Sequence, residues 1–379
     1  MREPLGVVIL GSTGSVGTQT LDVAASFPDR IRVLGLAANR NLELLMRQVE
    51  AFWPARTVLV HPPGDVPESI ETGAEAMIDM VRMDGVDLVV VATVGAAGLM
   101  PTLAALDAGK RVALANKETL VMAGSLFRRR LKGAGSLVPI DSEHSAIWQC
   151  LLGEPEKEIE KLVLTASGGP FRRRGYEDLH TVTPAEALKH PTWNMGPKVT
   201  VDSASLMNKG LEVLEAAILF DVGLQQVEVV QHPESIVHSL VYFTDSSVKA
   251  QLGVPDMRLP IQFALSYPHR WPNELARLDL ASTSALHFGP IDLSRYPCLR
   301  LALEAGAAGG TAPATLCAAD DVGVGLFLDG DIRFTDIPIV VEAALARNGR
   351  CENPGLDDIL QADATAREAA YEAARRLRL

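Results

Sequence analysis

The feature that most constrains the fold is an alternation, over the first 140 residues, of short β-branched runs with helical patterns. Near-continuous apolar runs such as Leu88-Val89-Val90-Val91 are typical of parallel strands that are buried on both faces. Helical segments, at 18–25 and 42–51 for example, separate these runs. The alternation predicts a doubly wound α/β domain. The predicted strands are 7–10, 31–37, 57–60, 88–92, 112–115 and 137–140.

The pattern changes after residue 141. Helical segments mix with runs that alternate polar and apolar residues, which predicts an antiparallel sheet with one covered face. A proline-punctuated linker and Ala-rich helical segments follow. We therefore predict an α/β protein with a doubly wound, Rossmann-like dinucleotide-binding domain, an α+β catalytic domain, a linker and a helical C-terminal domain. These parts span residues 1–141, 142–272, 273–297 and 298–379.

The elements predicted in the second half can be placed by residue. Helices are expected at 143–152 and 206–220, and strands at 227–230, 236–244 and 247–252. Within the catalytic domain, Thr183-Pro184-Ala185-Glu186 predicts a capping box with proline at the first helical position. The rest of 181–197 is rich in proline and turn-forming residues, which predicts a lid loop. The C-terminal helices are expected at 299–307, 337–347 and 357–377.

Charge and cysteine content exclude several classes of protein. The formal net charge is -12, whereas general nucleic-acid binding needs a basic surface. The four cysteines have no CxxC spacing for zinc or redox chemistry, so we expect buried thiols. The longest apolar stretch, 86–100, is too short to span a bilayer, and the N-terminus does not resemble a signal peptide. A cytoplasmic protein is expected.

A glycine-rich turn follows the first predicted strand and precedes a helix. Its sequence is Gly11-Ser12-Thr13-Gly14-Ser15-Val16-Gly17. Glycines permit close approach of the backbone, and the helix N-terminus presents N–H groups to a pyrophosphate. The spacing is G-x-x-G-x-x-G rather than the commoner G-x-G-x-x-G, so a plain βα turn is the alternative. The strand–turn–helix context favours a dinucleotide site.

The end of the second strand indicates which nicotinamide cofactor binds. An NAD site carries Asp or Glu there to hold the ribose 2′-OH, but this chain has Ala38-Asn39-Arg40-Asn41. Arg40 is placed to pair with a 2′-phosphate, which favours NADPH. Asn116-Lys117-Glu118 follows a later strand at the same edge, where ligands of open α/β sheets bind.

Acidic residues in both halves suggest a metal site. In Asp141-Ser142-Glu143 the two carboxylates can face one ion, although acidic pairs at strand ends also commonly cap the next helix. A helix that begins near Ser205 would place Asn208, Lys209 and Glu212 on one face. That face is either a solvated surface or a site, and the residues leave both open. Three carboxylates would suit Mg²⁺ or Mn²⁺.

A phosphate pocket is the matching prediction. Ser167 lies in the small-residue turn Ala166-Ser167-Gly168-Gly169-Pro170, whose N–H groups can hold an oxyanion. Ser203, Asn208 and Lys209 would complete the pocket. The loop residues grouped with it are His190, Trp193 and Met195.

Over essentially its whole length the chain resembles the 1-deoxy-D-xylulose 5-phosphate reductoisomerase family. The resemblance rests on the order and spacing of several motifs. They are the glycine turn, Ala115-Asn116-Lys117-Glu118, Pro139-Ile140-Asp141-Ser142-Glu143-His144, Ser167-Gly168-Gly169-Pro170-Phe171, His190-Pro191-Thr192-Trp193-Asn194-Met195-Gly196, Val201-Asp202-Ser203-Ala204, Met207-Asn208-Lys209-Gly210-Leu211-Glu212 and Gln231-His232-Pro233-Glu234-Ser235-Ile236-Val237-His238-Ser239.

The resemblance implies NADPH-dependent rearrangement and reduction of 1-deoxy-D-xylulose 5-phosphate to 2-C-methyl-D-erythritol 4-phosphate, in the non-mevalonate synthesis of isoprenoid precursors. It implies metal ligation of Mn²⁺ or Mg²⁺, with Co²⁺ as an alternative, by Asp141, Glu143 and Glu212. Lys117 would stabilise an oxyanion and bind substrate. A homodimer and a small phosphorylated sugar substrate are also implied.

The remaining roles implied by the resemblance concern substrate and cofactor. The phosphate would be bound by Ser167, Ser203, Asn208 and Lys209, and the rest of the substrate by Ser142 and His190. Trp193 and Met195 would close over substrate and nicotinamide and exclude water. The cofactor site would be lined by Thr13, Gly14, Ser15, Val16, Asn39, Arg40, Asn41, Asn116, Glu118, Met195 and Gly196. Similar proteins often have glycine where this chain has Asn39.

Two other classes of protein remain as alternatives. An aspartate-semialdehyde-type dehydrogenase would share the glycine turn but needs a cysteine nucleophile, for which Cys150 is the candidate. Cys150 lies in an apolar helical run, which predicts a core residue instead. A non-catalytic NADP-binding regulator would need none of the acidic residues.

Overall fold

The chain forms two compact units. They are described by a computed structural model that covers residues 3–131, 135–193, 195–347 and 349–377. Unit 1 comprises Met1–Thr119, Phe127–Ser145 and Asp256–Leu275, and unit 2 comprises Leu120–Leu126, Ala146–Pro255 and Ala276–Leu379. The division into four parts at 1–141, 142–272, 273–297 and 298–379 stays a prediction.

Unit 1 is built on a parallel sheet of seven strands. The strands are β1 (Leu5–Leu10), β2 (Ile31–Ala38), β3 (Arg56–Leu59), β4 (Glu71–Thr72), β5 (Leu88–Val91), β6 (Arg111–Leu114) and β7 (Leu137–Pro139). Their order across the sheet is β4-β3-β2-β1-β5-β6-β7, and every neighbouring pair is parallel. The predicted doubly wound, Rossmann-like domain is confirmed. Only the two-residue strand β4 was not predicted.

Helices connect the strands of unit 1 and continue through unit 2. In chain order they are α1 (Ser15–Ser26), α2 (Leu42–Phe52), α3 (Ala74–Met80), α4 (Leu99–Asp107), α5 (Lys117–Arg128), α6 (Ser142–Leu151), α7 (Pro184–Ala187), α8 (Pro197–Ser205), α9 (Met207–Leu219), α10 (Arg258–Ser266), α11 (Pro297–Ala308), α12 (Ala312–Leu328), α13 (Ile337–Arg347) and α14 (Leu356–Arg375). The chain passes between the units within α5 and α6.

Unit 2 contains a mixed sheet. Its strands are β8 (Ile159–Ala166), β9 (Val227–Gln231), β10 (Val237–Phe243), β11 (Val248–Leu252) and β12 (Gly289–Pro290). The order is β11-β10-β8-β9-β12, with β8 and β9 parallel and the other pairs antiparallel. The predicted antiparallel sheet is therefore wrong in one respect: the central strand β8, missed in the sequence, pairs parallel with β9. One face is covered as predicted, because α9 packs on β8 and β9.

The C-terminal helices α11 to α14 pack against one another in unit 2, which confirms a helical C-terminal part. The sequence missed α12 because it is apolar on nearly every side and has no amphipathic pattern. It lies at the centre of the group, in contact with α11, α13 and α14. Among the described residues, no helix combines the length and apolar character needed to cross a membrane.

Candidate active site

The glycine turn of unit 1 closes tightly behind β1. Gly11 has φ +82°, and a Cβ there would lie 2.4 Å from the Ala92 carbonyl oxygen. A Cβ on Gly17 would lie 2.2 Å from the Gly11 carbonyl oxygen. Gly14 is the N-cap of α1 and provides no side-chain acceptor for the first turn. The N–H groups at the start of α1 can therefore donate to an anion, as a pyrophosphate site requires.

The predicted cofactor residues Thr13, Gly14, Ser15 and Val16 occupy this turn and the first residues of α1. Gln48 stabilises the turn, because its Nε2 donates to the Ser12 carbonyl oxygen at 2.8 Å. The turn is thus held in shape by protein groups alone.

Three exposed side chains follow β2 at the same edge of the sheet. Arg40 is exposed and makes no side-chain hydrogen bond or ion pair within the described residues. Its guanidinium is therefore available to an anionic ligand. Asn41 caps α2 by accepting from the Leu44 N–H at 3.0 Å. The Asn39 side chain contacts His61, with 2.7 Å between Oδ1 and Nδ1.

The buried side chain of Asn116 connects the segment after β5 to the first turn of α5 through hydrogen bonds. Its Oδ1 accepts from the Thr119 N–H at 2.9 Å, which caps α5. Its Nδ2 donates to the carbonyl oxygens of Thr93 and Gly95, each at 2.9 Å, and contacts the Thr93 hydroxyl. All its side-chain bonds are to protein, so its predicted contact with the cofactor stays a prediction. Glu118, the next predicted cofactor residue, is also buried.

Lys117 and Asp141 form an ion pair between the ends of β6 and β7. The Lys117 Nζ lies 2.8 Å from Asp141 Oδ2, and the two side chains are 9% and 13% exposed. His144, fully buried, places Nδ1 3.1 Å from Asp141 Oδ1. Burial opposes ionisation of Asp141, but the Lys117 charge and the His144 hydrogen bond outweigh it and hold the pKa of this carboxyl well below its usual value. Asp141 is therefore an ionised carboxylate at neutral pH.

Ser142 and Glu143 complete the acidic edge of unit 1. The Ser142 hydroxyl donates to the Glu143 carboxylate, and the Glu143 N–H donates to Asp141 Oδ1 at 3.2 Å. Asp141 thus also serves as the cap anticipated as the alternative to a metal ligand. Both roles are compatible, since Glu143 and the Lys117-bound Asp141 keep several acceptor oxygens.

In unit 2, His190 is fixed in one orientation beside Ser167. Its Nδ1 accepts from the backbone N–H groups of Thr192 at 3.1 Å and Trp193 at 2.9 Å. The proton of the neutral ring then resides on Nε2, which donates to Ser167 Oγ at 3.2 Å. The Ser167 hydroxyl can consequently direct its own proton to an anion.

Two left-handed glycines bring the Ser167 turn onto α8. Gly168 has φ +81° and Gly169 φ +67°. A Cβ on Gly169 would lie 2.7 Å from the Ser203 carbonyl oxygen, so only glycine permits this approach. The structure thereby brings Ser167 and Ser203 into one neighbourhood, as the predicted phosphate pocket requires.

The helix predicted to begin near Ser205 is α9, whereas the helix that precedes it, α8, was not predicted. Leu206, with φ +59°, separates α8 from α9, and Ser205 Oγ accepts from the Met207 N–H at 3.2 Å to begin α9. The predicted helix start is therefore confirmed, although the left-handed conformation of Leu206 was not predicted. The predicted spacing within α9 is nevertheless confirmed, because Asn208 and Lys209 both donate to the Glu212 carboxylate.

Burial decides between the two interpretations of this face. The side chains of Lys209 and Glu212 are 4% and 1% exposed, so the face is not a solvated surface. A buried glutamate needs cationic or hydrogen-bonding partners, and here it has both. The α9 N-terminus adds its positive dipole end next to Asn208 and Lys209.

The segment 181–197, predicted to be a lid, contains the predicted helical turn α7, and the capping box of Thr183 and Glu186 is confirmed. Trp193 is half-buried, with its ring centroid 6.2 Å from that of His238. Met195 and Gly196 precede α8, and Gly196 is its N-cap. Residue 194 lies outside the described residues.

The cysteine-nucleophile alternative does not fit unit 2. Cys150 is buried in the core formed by α6, α9 and the mixed sheet. Burial raises the pKa of its thiol to about 11, the opposite of what a nucleophile needs. Cys298 and Cys317 are also buried, whereas Cys351 is half-buried rather than buried as predicted.

Two histidines at the sites were not assigned roles from the sequence. His144 positions Asp141, and its signal was its place three residues later at the start of a helix. His238 lies under Trp193, but β10 gives no local pattern that marks it.

Comparison with known proteins covers nearly the whole chain. Residues 7–124 match the sequence model of 1-deoxy-D-xylulose 5-phosphate reductoisomerase. Residues 137–220 match the model of the 1-deoxy-D-xylulose 5-phosphate reductoisomerase C-terminal domain, and residues 252–369 that of the DXP reductoisomerase C-terminal domain.

Individual relatives agree. The chain is 49% identical to 1-deoxy-D-xylulose 5-phosphate reductoisomerase of Pelotomaculum thermopropionicum, over 98% of this chain and 99% of that protein. It is similar to the Zymomonas mobilis enzyme in complex with NADPH, with a TM-score of 0.90, 39% identity, and 99% and 100% of the two chains covered. It is also similar to a DOX-P reductoisomerase in complex with NADPH, fosmidomycin and magnesium, with a TM-score of 0.92, 38% identity, and coverage of 98% and 99%.

Proposed function

The chain belongs to the 1-deoxy-D-xylulose 5-phosphate reductoisomerase family, and from that premise we propose its reaction. It is an NADPH- and divalent-metal-dependent oxidoreductase that converts 1-deoxy-D-xylulose 5-phosphate to 2-C-methyl-D-erythritol 4-phosphate, in the non-mevalonate synthesis of isoprenoid precursors. The observation that carries this proposal is the ionised Asp141 paired with Lys117 at the ligand-binding edge of a dinucleotide-type sheet. A carboxylate kept charged despite burial, beside an ammonium, suits metal-assisted chemistry on a polar substrate.

We assign Asp141, Glu143 and Glu212 as the metal ligands. All are carboxylates, the hard oxygen donors that Mg²⁺ and Mn²⁺ prefer, with Co²⁺ as an alternative. Asp141 is ionised by its surroundings, and Glu212 is buried beside Lys209. The bound ion would supply Lewis-acid polarisation of substrate oxygens and hold them in place. Lys117 would direct its ammonium at negative charge that develops on the substrate.

The substrate phosphate would be held by unit 2. Ser167 offers a hydroxyl proton because His190 Nε2 already donates to its oxygen. Ser203, Asn208 and Lys209 would supply further donors at the start of α9, whose dipole favours an anion. His190 and Ser142 would contact the rest of the substrate. Trp193 and Met195 would cover it and exclude water.

The cofactor would bind along the carboxyl edge of the parallel sheet. Its pyrophosphate fits the turn of Thr13, Gly14, Ser15 and Val16, and its 2′-phosphate fits Arg40 with Asn39 and Asn41. Asn116, Glu118, Met195 and Gly196 would line the remainder of the site. NADPH would supply the hydride for the reduction.

The assembly, location and domain division are further parts of the proposal. The edge strand β11 pairs only with β10 within the described residues, and such an edge can pair with a second copy. We therefore expect a homodimer. We also expect a cytoplasmic protein, with domains at 1–141, 142–272 (including the lid at 181–197) and 298–379, joined by the linker at 273–297.

The decisive experiment follows NADPH oxidation by absorbance with 1-deoxy-D-xylulose 5-phosphate, with and without Mn²⁺ or Mg²⁺. The parent and Asp141→Asn are compared, with Asp107→Asn as the control, since Asp107 pairs with Arg130 at the surface. Metal-dependent oxidation by the parent and the control, lost in Asp141→Asn, supports the assignment. NADPH binding without turnover under any metal would favour a non-catalytic regulator.

A further inference from the structure

His61 leaves the sheet of unit 1 beside the predicted 2′-phosphate residues. Strand β3 runs parallel to β2, with Leu59 opposite Ala38. The pairing continues past the strand ends, because the Val60 N–H donates to the Ala38 carbonyl at 2.9 Å and the His61 N–H donates to the Asn39 carbonyl at 2.8 Å. His61 therefore emerges at the carboxyl edge, next to Asn39 and Arg40.

The His61 ring is held by a side chain that the strand pairing does not need. Its Nδ1 lies 2.7 Å from Asn39 Oδ1, and both residues are exposed. Because the backbone bonds already join β2 and β3 here, the side-chain bond mainly orients the imidazole. Pro62 follows and restricts His61 to extended backbone. Within the described residues, His61 Nε2 makes no hydrogen bond, so it is available to a ligand.

Charge and position together identify the ligand. The sheet order β3-β2-β1 places His61 and Arg40 on the side of β1 where a bound dinucleotide puts its adenosine ribose. The chain has a net charge of -12, yet Arg40, which has no partner within the described residues, and His61 both lie at this edge. Because the Asn39 oxygen engages Nδ1, Nε2 is the ring atom that a phosphate group can hydrogen-bond.

We propose that His61, oriented by Asn39, binds the 2′-phosphate of NADPH together with Arg40 and thereby contributes to the preference for NADPH over NADH. The inference rests on the proposed function, since it assumes that NADPH is the cofactor. His61 acts here as a specificity-determining residue, and Asn39 as the positioning residue that acts through it.

The test uses two ligands that differ only in the 2′-phosphate, 2′,5′-ADP and 5′-AMP, titrated calorimetrically into the full-length protein. We expect His61→Ala to weaken 2′,5′-ADP binding about tenfold, the worth of one charge-assisted hydrogen bond. Binding of 5′-AMP should stay within about twofold. NADPH and NADH, followed by nicotinamide fluorescence, should show the same contrast. His269→Ala, another exposed histidine of unit 1, is the matched control and should change nothing.

The role of Asn39 is tested by a double-mutant cycle. Asn39→Ala should weaken 2′,5′-ADP binding about threefold in the parent and have no further effect in His61→Ala. Independent, additive losses would overturn the orienting role. An unchanged melting temperature of each variant excludes general unfolding as the cause.

The outcomes separate this inference from the function on which it rests. If the parent binds 2′,5′-ADP no more tightly than 5′-AMP, both the NADPH assignment and the inference are overturned. If the parent discriminates and His61→Ala discriminates equally well, or loses affinity for both ligands alike, only the inference is overturned. A selective loss for 2′,5′-ADP and NADPH supports it.

Discussion

Each unit contains a buried pair of a lysine and a carboxylate, but the two pairs are assembled differently. Lys117 and Asp141 come from the ends of two neighbouring strands and meet only because β6 and β7 lie side by side. Lys209 and Glu212 lie one turn apart on α9. The first pair depends on tertiary structure, whereas the second follows from the spacing of the two residues on one helix.

The two pairs also differ in what surrounds them. Asp141 has the His144 ring and the Glu143 N–H as well as Lys117, and both members of its pair keep some exposure. Glu212 is 1% exposed and accepts hydrogen bonds from Asn208 and Lys209 of its own helix. We infer that the pair in unit 1 is arranged for reaction and the pair in unit 2 for holding both shape and ligand.

The largest effect is expected for Lys117→Met. Removing a preorganised donor from the reacting centre should lower kcat by about 10²- to 10³-fold. The melting temperature should change little, because Asp141 keeps its other partners. Steady-state kinetics and thermal unfolding measure the two effects. Lys110→Met is the control, since Lys110 donates to the Met83 carbonyl and forms no ion pair within the described residues. A variant that unfolds easily but turns over normally would reverse our comparison.

The next effect concerns stability in unit 2. Lys209→Met leaves Glu212 buried without its cation, which should cost about 3 kcal/mol of unfolding free energy. Denaturant unfolding of the parent, Lys209→Met and Lys117→Met measures the difference. Lys161→Met is the control, because the Lys161–Glu228 pair is at the surface and should contribute at most about 1 kcal/mol. Equal destabilisation by Lys209→Met and Lys117→Met would break the comparison.

The third effect concerns the packing of α9 against α11. A Cβ on Gly210 would lie 2.4 Å from the Ala302 Cβ of α11. Gly210→Ala should therefore destabilise the protein by about 1–3 kcal/mol, even though alanine favours a helix by about 1 kcal/mol. Gly325→Ala in α12 meets nothing within 4 Å and should be neutral or stabilising. Denaturant midpoints that rank the two variants the other way would contradict the packing.

The smallest effect concerns the predicted lid, 181–197. The Thr183 N–H, followed by Arg174, lowers the pKa of Glu186 from 4.5 to about 2. A carboxyl whose pKa is depressed by folding contributes stability above its unfolded pKa, and that contribution is lost as the pH falls from about 4.5 towards 2. Amide exchange near Thr183 should be faster in Glu186→Gln than in the parent at pH 6, and the two should converge near pH 2–3. A constant difference across this range would contradict the assignment.

The difference between features set by local spacing and features set by tertiary structure also explains what the sequence could predict. The glycine turn, the strands of the parallel sheet, the capping box and the Asn208–Lys209–Glu212 face all follow from local spacing, and the structure contains each of them. The central strand β8 and the helices α8 and α12 were missed. β8 and α12 are apolar on several sides and so lack a one-sided pattern. The end of α8 depends on the left-handed conformation of Leu206, which local spacing does not predict.

Pairs made between distant segments were beyond local spacing as well. His144 near Asp141 was within reach of helix periodicity. The contact of Asn39 with His61 joins residues from different strands, and no motif contains His61. Only the parallel register of β2 and β3 reveals it.

The hydrogen bonds made by the Asn116 side chain have a consequence for resistance to inhibitors. Its single side chain joins Thr93, Gly95 and the start of α5, so any replacement would disconnect several segments at once. If a cofactor-competitive compound binds beside Asn116, as the predicted cofactor site implies, we expect few substitutions of Asn116 among resistant variants. Each substitution would remove at least one of these hydrogen bonds together with the binding of the compound.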